Sequence, residues 1–155
     1  MLDSSVIPMA IPTEKQINLY NSLDEFRAVK NFLGLDHDSA LRLFKENFLY
    51  YQEDLMFMGP TAFEFYIFDA FRYLNEAIID DFIDGIFILC EDIIYQIDGK
   101  IAVSITAVSR IIEELNGIKD KIQRSHEPDR FHEEYYKIIS TICTIESNQS
   151  LKGRM

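Results

Sequence analysis

The chain has few of the residues that punctuate short strands and tight turns. Its 155 residues include only 6 Gly and 4 Pro, and Trp is absent. Folds built from many short strands need Gly and Pro at their turns, so this scarcity favours helices. The 2 cysteines, Cys90 and Cys143, both lie in apolar helical stretches. This placement predicts reduced, buried thiols that pack as small hydrophobic side chains.

Basic residues are scarce relative to acidic ones. The 15 Lys and Arg face 26 Asp and Glu, which gives a formal net charge of −11. A field of that sign repels phosphate groups, so nucleic acids and anionic membranes are poor partners. The same field attracts a basic protein surface and accelerates the encounter at low salt. Solubility alone is an equally good explanation of the charge.

Signals for secretion or membrane insertion are also missing from the sequence. The segment Met1–Ala10 has no basic region and carries Asp3, unlike a signal peptide. The longest apolar stretches are interrupted by Asp84, Glu91 and Asp92, which argues against a membrane span. We therefore expect a cytoplasmic protein.

The residues that are abundant predict one all-α domain. Hydrophobic residues make up 48% of the chain, with 12 Phe and 8 Tyr, enough for a substantial core. We expect a compact bundle of five to seven helices over residues 1–155, with an irregular leader at 1–12 and a frayed tail at 147–155. The predicted helices span residues 14–21, 23–33, 39–52, 61–75, 80–97, 104–122 and 130–146.

Local signals support several of these boundaries. Thr13 precedes Gln16 by three residues and Ser22 precedes Glu25 by three, which is the spacing of a capping box. Gly34 suits the residue just after the second helix. Asp36 or Asp38 is expected to cap the next helix, and Ser104 a later one. Asn116-Gly117 marks a site where that later helix could kink or end. The segment 55–60 is expected to be an apolar loop that places Pro60 first in the following helix.

The segment 80–97 is predicted to be the central, most buried helix. Its apolar residues cover most of the helical circumference, and Asp84, Glu91 and Asp98 form a narrow polar stripe at heptad spacing. Asp98-Gly99 is also a hairpin signal. We favour a loop between helices there, because the flanking segments are too short for a sheet.

No catalytic or metal-binding constellation is evident. No Glu has a His three residues later, the spacing with which di-iron bundles place two ligands on one helix face. Asp84, Glu91 and Asp98 repeat every two turns, roughly 10 Å apart, which is too far for one ion. Nucleophile elbows and phosphate-binding loops are absent. We therefore expect no enzyme, no cofactor and no metal.

Aromatic residues are concentrated between positions 50 and 73. Most of them follow helical stripes and are expected in the core. Tyr50, Phe65, Phe68 and Tyr73 fall outside the main stripes. They are candidates for an exposed binding patch, because aromatic side chains anchor protein interfaces.

Two segments resemble a group of small bacterial helical proteins. Residues 58–67, Met-Gly-Pro-Thr-Ala-Phe-Glu-Phe-Tyr-Ile, are similar to a Pro-x-Ala-Phe-x-Tyr-Tyr-Leu motif, and Ser104–Leu115 is similar to a later helix of those proteins. Phe68 and Asp69 stand where Pro and Ala are usual, and the Pro-Glu-Gln of the later helix is missing. The resemblance implies an all-α fold. Some such proteins resemble immunity proteins of toxin–immunity pairs, but no functional residues transfer.

Charge, the missing catalytic residues and the resemblance together predict a cytosolic immunity or inhibitor protein. It would bind a cognate basic toxin domain and cover its active site. The candidate contacts are Asp80, Asp81, Asp84, Glu91 and Asp92, with Glu53 and Asp54 as a second patch. A homodimeric regulatory or scaffold module that uses apolar surface such as Phe65 and Phe68 stays open, as does an enzyme or metal-binding helical protein. The sequence is compatible with a monomer or a homodimer.

Overall fold

The computed structural model describes residues 10–98, 103–125 and 127–153, and within these ranges the chain is α-helical without strands. The all-α class is therefore confirmed. No described helix is both long and apolar enough to cross a membrane. The helices are α1 Glu14–Ile17, α2 Leu23–Phe32, α3 His37–Tyr51, α4 Asp54–Phe57, α5 Pro60–Glu76, α6 Ile79–Phe82, α7 Ile86–Asp98, α8 Ile105–Gln123 and α9 His132–Gly153, with 3-10 turns at Ile83–Gly85 and Pro128–Phe131.

The predicted helix caps are confirmed. Thr13 and Ser22 each accept a hydrogen bond from the third backbone N–H of their helix, and both capping boxes are complete. The Asp36 side chain accepts from the backbone N–H of Ser39, so α3 begins at His37. These side chains satisfy N–H groups that the first helical turn leaves without a partner.

Three further boundary signals are confirmed. Pro60 is the first residue of α5, and Ser104 caps α8. Gly34 follows the end of α2 with φ +82, in the left-handed region that Gly occupies without strain.

The helix buried on most sides is α5. Its buried side chains point in every direction around the axis, and it packs against α1, α3, α4 and α8. The Tyr66 hydroxyl lies 2.9 Å from the carbonyl oxygens of both Phe32 and Leu35. This contact joins the middle of α5 to the end of α2.

The other end of α5 is capped from a different helix. The ammonium of Lys121 in α8 donates to the carbonyl oxygens of Leu74, Asn75 and Ala77. These carbonyls end a helix and have no intrahelical N–H to accept from. Burial lowers the pKa of Lys121.

The prediction of one continuous central helix over 80–97 is wrong. The chain forms α6, a 3-10 turn and α7 instead, and the break falls at Gly85. A Cβ at Gly85 would lie 2.6 Å from the Phe48 ring, so the turn approaches α3 more closely than a side chain would permit. The prediction of an apolar loop is also wrong for Leu55, Met56 and Phe57, which belong to α4.

The helix predicted over 104–122 is confirmed as α8, which continues through Asn116 and Gly117. Two other features differ from the prediction: α3 contains an extended residue at Asn47, and α9 continues to Gly153 past the predicted start of a frayed tail. The leader at 1–9, and residues 99–102 of the predicted loop, lie outside the described residues. Cys90 is buried as predicted, whereas Cys143 is exposed on α9.

The packing at Gly85 generates a paired test. Gly85→Ala is expected to destabilise the fold by about 1–3 kcal/mol, because overpacking forces the buried Phe48 ring to move. Gly117→Ala is the matched control. Nothing lies within 4 Å of its added Cβ, and inside α8 the change is expected to stabilise by roughly 0.5–1 kcal/mol. Urea unfolding measures both; a Gly85→Ala variant as stable as the parent would contradict the close packing.

Candidate functional site

A cleft of about 890 Å³ opens between the start of α2, α4 and α7. Apolar side chains such as Met56, Phe57 and Ile94 line it. At its edge stand two aromatic rings that are mostly exposed, Tyr20 at 69% and Tyr95 at 58%. We call this feature the α4–α7 cleft.

The carboxamide of Gln96 fixes one wall of the α4–α7 cleft to the other. Its nitrogen lies 2.8 Å from the carbonyl oxygen of Leu55, 3.2 Å from that of Met56 and 2.7 Å from that of Met58. These carbonyls belong to the short α4 and the residue after it. A buried donor from α7 therefore supplies the hydrogen bonds that α4 is too short to make internally.

Gly59, which also lines the cleft, lies where the backbone before α5 packs against the backbone of α1. Its backbone N–H donates to the carbonyl oxygen of Ile17 at 3.0 Å. A Cβ at Gly59 would lie 2.2 Å from the carbonyl oxygen of Gln16, so only Gly fits at this junction between α1 and α5.

Glu25 holds Tyr20 in place at the edge of the cleft. Its carboxylate accepts hydrogen bonds from the backbone N–H of Tyr20 at 2.8 Å and from the Ser22 hydroxyl at 2.7 Å. Burial alone raises the pKa of Glu25, but the hydrogen bonds from Ser22 and Tyr20 outweigh it and lower the pKa overall. Glu25 is therefore an ionised structural group.

Next to the cleft, α2 exposes large apolar side chains. Leu23 is 90% exposed and Phe26 60% exposed, and Leu33 continues the same side of the helix. We call Leu23, Phe26 and Leu33 the α2 apolar face. Most large apolar side chains of a folded domain are covered, so this grouping marks a surface suited to a partner.

The α2 apolar face and the cleft edge were not predicted as a site. Within α2 the buried residues Ala28 and Phe32 lie on the opposite side of the helix from Leu23 and Phe26. The sequence did contain a signal for this surface: α2 carries a second apolar stripe in addition to the one that it buries.

The structure separates the predicted acidic contacts into different places. Glu91 lines the α4–α7 cleft and is paired with Lys137. Glu53 Oε2 lies 3.7 Å from Arg27 Nη2. The remaining exposed ones, Asp80, Asp81 and Asp84, lie beyond the far end of α5.

Those three residues also differ among themselves. Asp80 is paired with Arg130 at 3.2 Å. Asp81 and Asp84 line a separate cleft of about 330 Å³ beside α3, together with Glu46. The seven predicted contacts therefore do not form one surface.

Asp54, predicted as a surface contact, is fully buried. One carboxylate oxygen accepts from Arg27 Nε at 3.0 Å and the other from Asn31 Nδ2 at 2.7 Å. Burial raises the pKa of Asp54, and the hydrogen bonds from Asn31 and Arg27 oppose that effect. The prediction is wrong here because a charged partner on α2 compensates the carboxylate for burial.

Asp92 is also buried, and its environment is unusual. Neither carboxylate oxygen has a hydrogen-bond partner among the residues that the structure describes. Burial raises the pKa of Asp92 to about 9, and the nearby charges of Glu53, Asp54 and Glu91 act in the same direction. The group is therefore protonated at neutral pH, and its predicted role as a charged contact is not compatible with this position.

Another buried carboxyl group, that of Asp69, is paired with a histidine. His37 Nδ1 lies 2.8 Å from an oxygen of Asp69, and its ring stacks on Phe65 at 4.0 Å between centroids. Burial raises the pKa of Asp69 to about 6, and the contact with His37 opposes it. The parts of the chain that the structure describes contain no group of three His, Cys, Asp or Glu side chains placed to hold a metal ion.

The predicted aromatic patch is only partly exposed. Phe65 and Tyr73 are buried, so the prediction is wrong for these two. Phe68 is half-buried, and the Arg110 guanidinium covers its ring at 4.3 Å. Tyr50 is exposed.

Comparison with known proteins identifies no relatives. No family model matches the chain, and no match was found among curated proteins or among solved structures. The resemblance of residues 58–67 to a motif of small bacterial helical proteins therefore stays a prediction.

The burial of Asp92 predicts a specific pH dependence. Its pKa is near 9 in the fold and near 3.8 in the unfolded chain, so folding takes up a proton between these values. The contribution of Asp92 to the free energy of unfolding is therefore most favourable below about pH 4. It decreases as the pH rises towards 9, by up to about 1.4 kcal/mol per pH unit. Asp92→Asn removes this loss.

We therefore expect Asp92→Asn to be more stable than the parent at pH 8, with the difference shrinking as the pH falls to 4.5. Urea unfolding at several pH values measures it. Asp54→Asn is the control: it is expected to destabilise at pH 8 because Arg27 loses a buried partner. A difference for Asp92→Asn that does not change with pH would contradict the assigned protonation.

Proposed function

We propose that this chain is an acidic inhibitor of the immunity-protein type, which binds a basic domain of a cognate toxin in the cytosol and covers its active site. The proposed contact surface is the α4–α7 cleft together with the α2 apolar face. The observation that carries the proposal is the exposure of Leu23 and Phe26 beside a cleft edged with carboxylates.

This arrangement has the composition of a protein interface. Specific interfaces have an apolar or aromatic centre that is fully covered in the complex and a polar rim. Leu23, Phe26 and Tyr20 supply the centre. Asp24, Glu91 and Asp98 supply carboxylates at the edge of the cleft.

The charge favours a basic partner. The chain carries a formal net charge of −11, and Asp24 has no ion pair within the described residues. Opposite charge on the partner would accelerate the encounter, whereas the apolar centre would determine how long the complex lasts. Occlusion of a toxin's active site requires no chemistry from the inhibitor itself.

Binding to the product of the neighbouring gene tests the proposal. If that product has a basic domain, we expect a tight complex whose affinity falls as salt rises from 50 to 500 mM. Leu23→Ser and Phe26→Ser are expected to weaken binding at least about tenfold at every salt concentration, because they remove apolar anchors. Asp24→Asn is expected to weaken it mainly at low salt.

Two exposed residues at the opposite end of α5 provide matched controls. Ile78→Ser and Asp84→Asn make the same kinds of change far from the proposed surface, and each is expected to alter affinity less than about twofold. The proposal fails if the neighbouring product does not bind. It also fails if the control variants weaken binding as much as the α2 variants.

The α2 apolar face also supports a second candidate, a homodimeric module. Leu23, Phe26, Lys30 and Leu33 share one side of α2. In an antiparallel pair of α2 helices, Leu23 would face Leu33 of the other copy, and Phe26 would face its Lys30. Light scattering separates the two candidates by measuring the molar mass in solution. If the parent protein is a dimer and Phe26→Ser is a monomer, the homodimeric module is favoured.

A further inference from the structure

We infer that the α4–α7 cleft receives an arginine side chain from an extended segment of its partner. For the identity of the partner, the inference rests on the proposed function. For the chemistry of the site, it rests on the side chains that line the cleft.

The charge inside the cleft has one sign. Its described lining includes the carboxylates of Asp24, Glu25, Glu91 and Asp98, and it includes no Lys or Arg. Lys137 contacts Glu91 from outside the lining, and Asn148 donates to Asp98. Glu25 is buried and already accepts from Tyr20 and Ser22. Asp24, Glu91 and Asp98 are exposed and keep acceptor capacity, since a carboxylate oxygen accepts more than one hydrogen bond. A cation entering the cleft would meet no repulsion from its lining.

Aromatic rings stand beside these carboxylates. The Phe57 and Tyr95 ring centroids are 6.4 Å apart, and Tyr20 stands at the edge of the same cleft. The faces of aromatic rings attract cations, and a planar guanidinium also stacks on them. Carboxylates and aromatic rings in one apolar cleft are therefore complementary to arginine.

Arginine fits this lining better than lysine does. Its guanidinium is more weakly hydrated than an ammonium and binds a carboxylate through two parallel hydrogen bonds. An ammonium would lose more hydration on entering walls made by Met56, Phe57 and Ile94. The cleft volume of about 890 Å³ exceeds one side chain, so backbone on either side of the arginine would also enter.

Blocked pentapeptides with a central arginine, lysine or citrulline test the inference. Citrulline keeps the shape of arginine but is neutral. Each peptide is titrated into isotope-labelled protein while backbone amide signals are followed by NMR. We expect the arginine peptide to shift the amide signals of Met58, Tyr95 and Gln96. The lysine peptide should bind at least about threefold more weakly, and the citrulline peptide should cause no shifts.

Substitutions locate the binding. Asp98→Asn and Tyr95→Leu are expected to weaken the arginine peptide at least about fivefold, while Asp84→Asn, in the separate cleft, changes its affinity less than twofold. Both cleft residues are exposed, so these variants are expected to keep the parent fold. Equal binding of the citrulline or lysine peptide would overturn the inference, as would shifts confined to residues 81–85.

The two proposals can fail separately. If the arginine peptide binds in the cleft but no basic protein partner exists, the inference holds and the proposed function falls. If a basic partner binds through the α2 apolar face while the cleft amide signals stay unchanged, the proposed function holds and this inference is overturned.

Discussion

The hydrogen bonds of the Gln96 carboxamide are the contact on which the candidate site depends. α4 has only four residues, so most of its carbonyls have no intrahelical donor. Gln96 donates to the carbonyls at its end from a buried position on α7. This side chain fixes the distance between α4 and α7, and with it the width of the cleft. Without a donor there, several buried carbonyls would lose their partners at once.

The acidic surplus of the chain has several roles in the structure. Glu64 accepts hydrogen bonds from the backbone and the hydroxyl of Ser104, which ties α5 to the start of α8. Asp54 is paired with Arg27, and Glu25 completes a helix cap. Several carboxylates are therefore engaged in contacts within the fold and are not available to a partner.

Local sequence signals predicted the local structure well. The caps at Thr13, Ser22 and Ser104, and Pro60 at the first position of α5, depend on side chains within a few residues of the backbone they contact. Patterns of this range can be read directly from the sequence. The all-α class followed from the helical spacing of the apolar residues for the same reason.

Features that depend on distant packing could not be predicted. The break at Gly85 is set by a ring of α3, 37 residues earlier in the chain at Phe48. Asp54 and Asp92 looked like surface residues because nothing local shows that α2, α4 and α7 meet around them. The site was missed because no local pattern shows which apolar side chains of α2 will be left without a packed neighbour. In the structure Leu23 and Phe26 are exposed.

Hydrogen exchange followed by mass spectrometry, with and without the basic product of the neighbouring gene, addresses the proposed surface most directly. The expected result is slower exchange in residues 20–33, 55–60 and 91–98 of the complex, where the cleft and the α2 apolar face lie. Slower exchange confined to residues 45–49 and 81–85 would place the partner on the smaller cleft beside α3 that Asp81 and Asp84 line. That result would contradict this account.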